Sequence, residues 1–238
     1  MNFSMRRFRA MVTKEWKDAT RNPQILLNAG MPILLAVLFG QRGFEPGDLA
    51  YLSMPVLIAI SVTGAFVQAN MIAEEKEKHT LRALMLSPAS KLEVLAGKSA
   101  TTSLFALIVC AICVLVSGIP PVHLGYVLLL SFLLLLIFMA LGTIIGLIAR
   151  TASESSIVGL PILLVFVFGP IFVPDFDLPA LMEFVHWLPS YQFVLAFTEL
   201  LQDGGLRQIA GYLFYLLAWA AGTGVLSLLI YSRKRFDK

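Results

Sequence analysis

The chain has 238 residues, 58% of them hydrophobic and only 14% charged, with a mean hydropathy of +0.82. A soluble domain carries roughly 25% charged residues, so the composition excludes soluble enzymes and soluble binding modules and specifies an integral membrane protein. A net charge of +3 spread over such a chain gives no reason to expect a nucleic-acid partner. The two cysteines, Cys110 and Cys113, share one apolar run and are read as small buried hydrophobes, not a disulfide or metal site.

From the N-terminus, Phe8, Met11, Val12, Trp16 and Ala19 recur at helical spacing, with Arg6, Arg9, Lys14, Lys17 and Arg21 mostly on other faces. This predicts an amphipathic helix over residues 1–23, lying in the membrane interface beside anionic lipid and ended by Pro23. The segment is too polar for a cleavable leader, so insertion is expected through the first span. A bilayer core of about 30 Å needs about 20 helical residues. The region 24–238 offers six such runs, expected at 24–40, 49–73, 99–118, 123–149, 156–173 and 208–232.

Between the second and third spans lies the longest charged interruption, 71–99. Glu74, Glu75, Lys76, Glu77 and Lys78 follow an apolar helix directly; Thr80 to Leu86 continues as a short amphipathic helix, which Ser87 and Pro88 stop. Of the 18 Lys and Arg residues, Arg42 and Arg207 alone fall on the opposite side, which predicts both termini and this segment in the cytoplasm. Between spans five and six, 174–207 mixes acids and prolines with many Leu and Phe. Two short helices broken at Pro189, with Pro179 and Tyr191 nearby, predict a segment that partly re-enters the outer leaflet.

Candidate chemistry is sparse. Gly97-Lys98-Ser99 imitates the end of a P-loop, but Leu92 stands where its first glycine is required. Glu74 and Glu75 lack histidines at membrane depth with which to hold a metal. The spans carry no ionisable residue near their centres, which disfavours ion-coupled transport. Their polar residues, among them Asn28, Ser61, Thr63, Gln68, Asn70, Ser131, Thr143 and Thr223, suit hydrogen bonds between helices. Gly142 and Gly146 in span four, and Gly211, Ala218 and Gly222 in span six, read as packing surfaces. No catalytic, cofactor or metal residue is predicted.

Residues Glu75-Lys76-Glu77-Lys78-His79-Thr80-Leu81, then Leu84-Met85-Leu86-Ser87-Pro88, then Ser90, Glu93, Gly97 and Lys98, resemble the cytoplasmic signature of the ABC-2 type permeases. His79 stands where that family usually has glycine. Leu188-Pro189-Ser190-Tyr191 is similar to the family's outer P-x-x-Y neighbourhood. The resemblance implies an all-α fold with six transmembrane helices in a prokaryotic plasma membrane. It also implies the membrane subunit of an ATP-driven exporter, paired with a second permease chain as homodimer or heterodimer. ATP and Mg would be bound by a separate ATP-binding subunit, which would touch Glu74, Glu75, Glu77, Thr80, Leu81, Leu84, Met85, Ser87 and Pro88 on a coupling helix. The apolar spans point to a lipophilic or amphiphilic cargo, such as a drug, a peptide antibiotic or a lipid-linked molecule. The alternatives are a sodium exporter of the same family and a non-transporting immunity or sensory subunit.

Overall fold

The computed structural model describes residues 5–41, 49–78, 91–119, 123–176, 178–202 and 204–233. Every regular element among them is helical, and six helices are long and apolar enough to cross a membrane. They are Pro23–Gly40, Leu49–Glu77, Ser99–Val116, Leu124–Ile148, Ala152–Asp175 and Leu206–Tyr231, within a few residues of the runs expected from hydropathy. The third belongs to a longer helix, Lys91–Val116, so its polar lead-in is already helical before the apolar stretch begins.

The N-terminal helix, Met5–Arg21, ends where Asn22 caps the first span: its side chain accepts a 2.9 Å hydrogen bond from the Gln24 amide, and Pro23 occupies the first helical position. Its apolar side is taken up largely by the third span. Trp16 meets the edge of Phe105 at 6.0 Å, and a Cβ added at Gly97 would lie 2.8 Å from Met11 Cγ. Gly97, part of the P-loop imitation, is therefore a helical packing position. Arg6, Arg9, Lys14, Lys17 and Arg21 remain exposed and mark what we term the basic end of the bundle.

The second span is the hub. It runs 29 residues from Leu49 to Glu77, and 83% of its most apolar window is buried. From Ala59 to Phe66 it widens into a π-helix before returning to α geometry, the kind of local departure that recurs at functional sites. The fourth span packs beside it and is 61% buried on the same measure. The two backbones approach closely where the fourth carries glycine. A Cβ at Gly142 would collide with the Ala65 carbonyl, and one at Gly146 would come within 2.6 Å of the Ala69 carbonyl. Leu130, Leu134 and Phe138 complete the buried side of the fourth span.

The sixth span is the opposite case, with 11% of its window buried. It lies along the fourth and fully or nearly buries Ile209, Leu216 and Thr223, a seven-residue spacing that gives a narrow seam. Between spans five and six, the helices Pro179–His186 and Pro189–Leu201 each begin on proline. The second of them is packed into the core: Phe193, Phe197 and Leu200 are completely buried, against the fourth, fifth and sixth spans. Two links fasten this segment at the far end, Tyr51 Oη to Asp175 Oδ2 at 2.9 Å and Tyr215 Oη to the Trp187 carbonyl at 2.8 Å.

Candidate functional site

At the basic end, the second span finishes with Glu74-Glu75-Lys76-Glu77, and two of these charges meet the turn between spans four and five. The fourth span stops at Ile148, leaving the carbonyls of its last turn without helical partners. The Lys76 ammonium fills that need. It donates to Leu147 O at 2.7 Å, to Gly146 O at 3.4 Å and, at close range, to Ala149 O. Lysine has three N–H donors, and a cation at a helix C-terminus also opposes the negative end of the helix dipole.

The next residue makes the mirror contact. Glu77 Oε2 accepts from the Ala152 amide at 3.0 Å, the first amide of the fifth span, where a helix favours an anion. That helix start is further capped from within. Thr151 Oγ1 accepts from the Glu154 amide at 3.1 Å, and Glu154 Oε2 accepts from the Arg150 amide at 2.7 Å. Lys76 and Glu77 thus hold the two ends of one turn with opposite charges, each matched to the dipole end it faces.

The neighbouring charges face elsewhere. Glu74 pairs with Lys78 one turn on, and this hydrogen bond holds the exposed Lys78 ammonium above its ordinary range. Glu75 is half-buried and within electrostatic range of Tyr231. A cleft of about 380 Å³ opens beside them, lined by Lys14, Glu15 and Asp18 of the N-terminal helix together with Glu74, Glu75 and Lys78. Thr80, Leu81, Leu84, Met85, Ser87 and Pro88 fall in 79–90, outside the described residues.

Deeper in the bundle the second span makes polar contacts with four others. Gln68 Nε2 donates to Ser99 Oγ at 2.8 Å and to Thr143 Oγ1 at 3.4 Å; Thr63 Oγ1 donates to Asn28 O, and Ser156 Oγ donates to Asn70 Oδ1, both at 3.4 Å. Gln68 Oε1 is buried without a hydrogen-bond partner among the described residues. These side chains tie spans one, three, four and five to the second, as mild polar residues do in lipid. No group of three His, Cys, Asp or Glu side chains that could hold a metal occurs among the described residues.

The remaining singled-out residues are dispersed. Gly142 and Gly146 lie against the second span, whereas Gly222 has open space around it. Pro179 and Pro189 start the two short helices. Tyr191 is buried, its ring centred 5.3 Å from that of His186, and burial pushes its phenol up. Lys76, read from the sequence only as part of the charge run and of the family signature, is a site residue that the sequence did not single out. Its signal was present in the Lys-Glu pair of the second span and the Thr151-x-x-Glu154 capping pattern, but nothing in one dimension joins them.

The chain matches the family described as ABC-2 family transporter protein over residues 25–229. It belongs to the ABC-2 transporter family. The match runs from the first span to near the end of the sixth and so includes the turn clamped by Lys76 and Glu77. As an ABC-2 permease, the chain is a multi-pass membrane protein and a membrane subunit of an ABC transporter, a class whose partner is generally an ATP-binding subunit. No match was found among curated proteins.

Proposed function

We propose that this permease exports a lipophilic or amphiphilic molecule, driven by a separate ATP-binding subunit that docks on the segment 74–90. The observation that carries the reading is the charge signature at the basic end: it emerges from the most buried span and is fastened to the turn between two others, so a force applied there reaches the bundle. A partner can shift a conformational equilibrium only through contacts that differ between its states, and this segment would supply them. Leu81, Leu84 and Met85 would supply an apolar anchor, with Glu74, Glu75 and the neighbouring charges setting orientation.

The excess of Lys and Arg at the basic end supports a cytoplasmic location for it and for both termini. The cargo class follows from spans that carry apolar faces and no central ionisable group. A second permease chain, identical or related, would complete the pathway, with lipid around it; ATP and Mg would stay in the ATP-binding subunit.

The test is co-purification with candidate ATP-binding subunits followed by ATPase measurement in lipid. The expected result is a stable complex whose turnover rises with an amphiphilic cargo. Stimulation by sodium alone would replace the cargo assignment, and failure to bind any ATPase would overturn the transporter reading. Leu84→Asp should leave the chain inserted and abolish cargo-stimulated turnover; unchanged transport at normal expression would remove the docking role of the segment.

A further inference from the structure

We propose that Lys76 and Glu77 are positioning residues that clamp the end of the second span to the turn between the fourth and fifth spans, so that a displacement of that end is delivered chiefly to the fifth span. The proposal rests on the transport reading above and names the route inside the chain. It also gives Glu77 a partner inside the chain, because one of its carboxylate oxygens, Oε2, accepts from the Ala152 amide.

Three observations carry it. First, the order of charge is specific: the cation is on the carbonyl end of the fourth span and the anion on the amide end of the fifth. Reversing the pair would oppose both helix dipoles and leave the carbonyls facing an acceptor. Second, the clamp joins elements of unequal freedom. The second and fourth spans are locked backbone to backbone at Gly142 and Gly146, so they can move past one another little. The fifth span is only 33% buried on the same measure and carries Pro161 and Pro170 within its helix. Each such proline removes an intrahelical hydrogen bond and marks a place where a helix bends. Third, the contact continues along the fifth span, where Ser156 Oγ meets Asn70 Oδ1 at 3.4 Å. A push on the end of the second span therefore meets a rigid neighbour on one side and a compliant one on the other, and the carboxylate of Glu77 holds the compliant one by its first amide.

The decisive variant is Ala152→Pro. Ala152 is the first residue of its helix, a position that tolerates proline, and Thr151 before it has the extended backbone, φ −131° and ψ 163°, that a following proline requires. The substitution keeps the helix start and deletes only the donor to Glu77. In the isolated permease, Ala152→Pro and Lys76→Met should each accelerate hydrogen exchange of the amides at 153–160 by about tenfold, because a cap that holds the turn also holds the amides behind it. Lys76→Arg, which keeps charge and donors, should restore slow exchange.

In the complex with the ATP-binding subunit, the wild-type fifth span should show ATP-dependent exchange at 153–160. Ala152→Pro should lose that dependence, and ATP turnover of the complex in lipid vesicles should fall about tenfold with the KM for ATP unchanged and the complex intact. Slow exchange in the isolated Ala152→Pro chain, or full ATP dependence in its complex, would overturn the clamp. Loss of complex formation in Ala152→Pro would do so too, by making the site a docking contact. The isolated-chain arm needs no partner, so a failure of the transport reading leaves the clamp separately decided.

Discussion

The fourth and sixth spans both carry small residues at helical spacing, and the bundle uses them in opposite ways. Gly142 and Gly146 face the backbone of the second span so closely that even a methyl group has no room. Gly211 and Gly222 meet nothing within 4 Å, and Ala218 beside them is exposed. Lipid tails are as apolar as leucine, so in a membrane a smooth helix surface gains association energy only when another backbone comes against it. Within this chain, that backbone is the second span. A small-residue stripe thus reports where a helix could be approached, and the topology decides whether it is.

The sharpest way to break the contrast is Gly142→Leu. The side chain would have to displace the main chain of Ala65, which sits inside the π-helical stretch of the hub. No monodisperse folded protein is expected on gel filtration in detergent. Gly142→Ala, a far smaller change, should still cost about 3 kcal/mol, the upper part of the usual overpacking range, and should be visible as a lowered unfolding midpoint. A stable Gly142→Ala chain would show that the two spans are separable.

The sixth span, by contrast, depends on what is wedged beside it. Phe197 is completely buried in the helix Pro189–Leu201, which packs against both the fourth and the sixth spans. Phe197→Ala should lower stability by about 4 kcal/mol through lost burial and the cavity left behind. If the short helix is what holds the sixth span in place, proteolysis near Gly205 should accelerate in the same variant. An unchanged cleavage rate would assign that task to the narrow seam of Ile209, Leu216 and Thr223.

Gln68 tests whether the hub is held by polar contacts as well as by shape. Its amide reaches Ser99 and Thr143, but its own Oε1 is buried without a partner among the described residues. Gains and unmet needs nearly offset, and hydrogen bonds between membrane helices are worth about 1 kcal/mol or less. Gln68→Leu should shift the unfolding midpoint by no more than that. A loss comparable with Gly142→Ala would rank polar contacts above shape in the hub.

The positions of the six spans were legible because about 20 apolar residues in a row have one physical meaning in water and lipid. The amphipathic N-terminal helix was legible for its periodicity, and so were two short helices, expected at 178–188 and 191–201; Pro189, read as the break between them, is instead the first residue of the second. Other features were hidden for equally physical reasons. In Ala59–Phe66, an apolar stretch interrupted only by Ser61 and Thr63, the order of side chains does not distinguish a π turn from an α turn. The side of the N-terminal helix read as facing lipid is covered largely by the third span, and hydropathy does not separate lipid from a lipid-like neighbour. Lys76 and Glu77 looked like part of a solvated charge run, since charges in sequence say nothing of the helix ends that approach them from residues 146–152. The stretch 79–90, where most of the expected partner contacts lie, falls outside the described residues.

Gly222 carries the smallest effect and the most specific question. It lines an open groove of about 490 Å³ together with Trp187, Tyr215, Trp219, Thr223 and Leu226. A methyl group placed there meets no atom of this chain, so Gly222→Ala should leave the isolated permease no less stable than wild type, with a gain of at most about 1 kcal/mol from helix propensity. The contrast with Gly142 then becomes a matter of assembly, because the substitution acts only if something outside the chain covers the groove. Measured in the isolated chain and again in the assembled transporter, a midpoint lowered only in the assembly would mean that the stripe meets a backbone after all, supplied by another subunit. Equal midpoints in both would mean that the sixth span presents this side to lipid, and that the two glycine stripes differ by location alone.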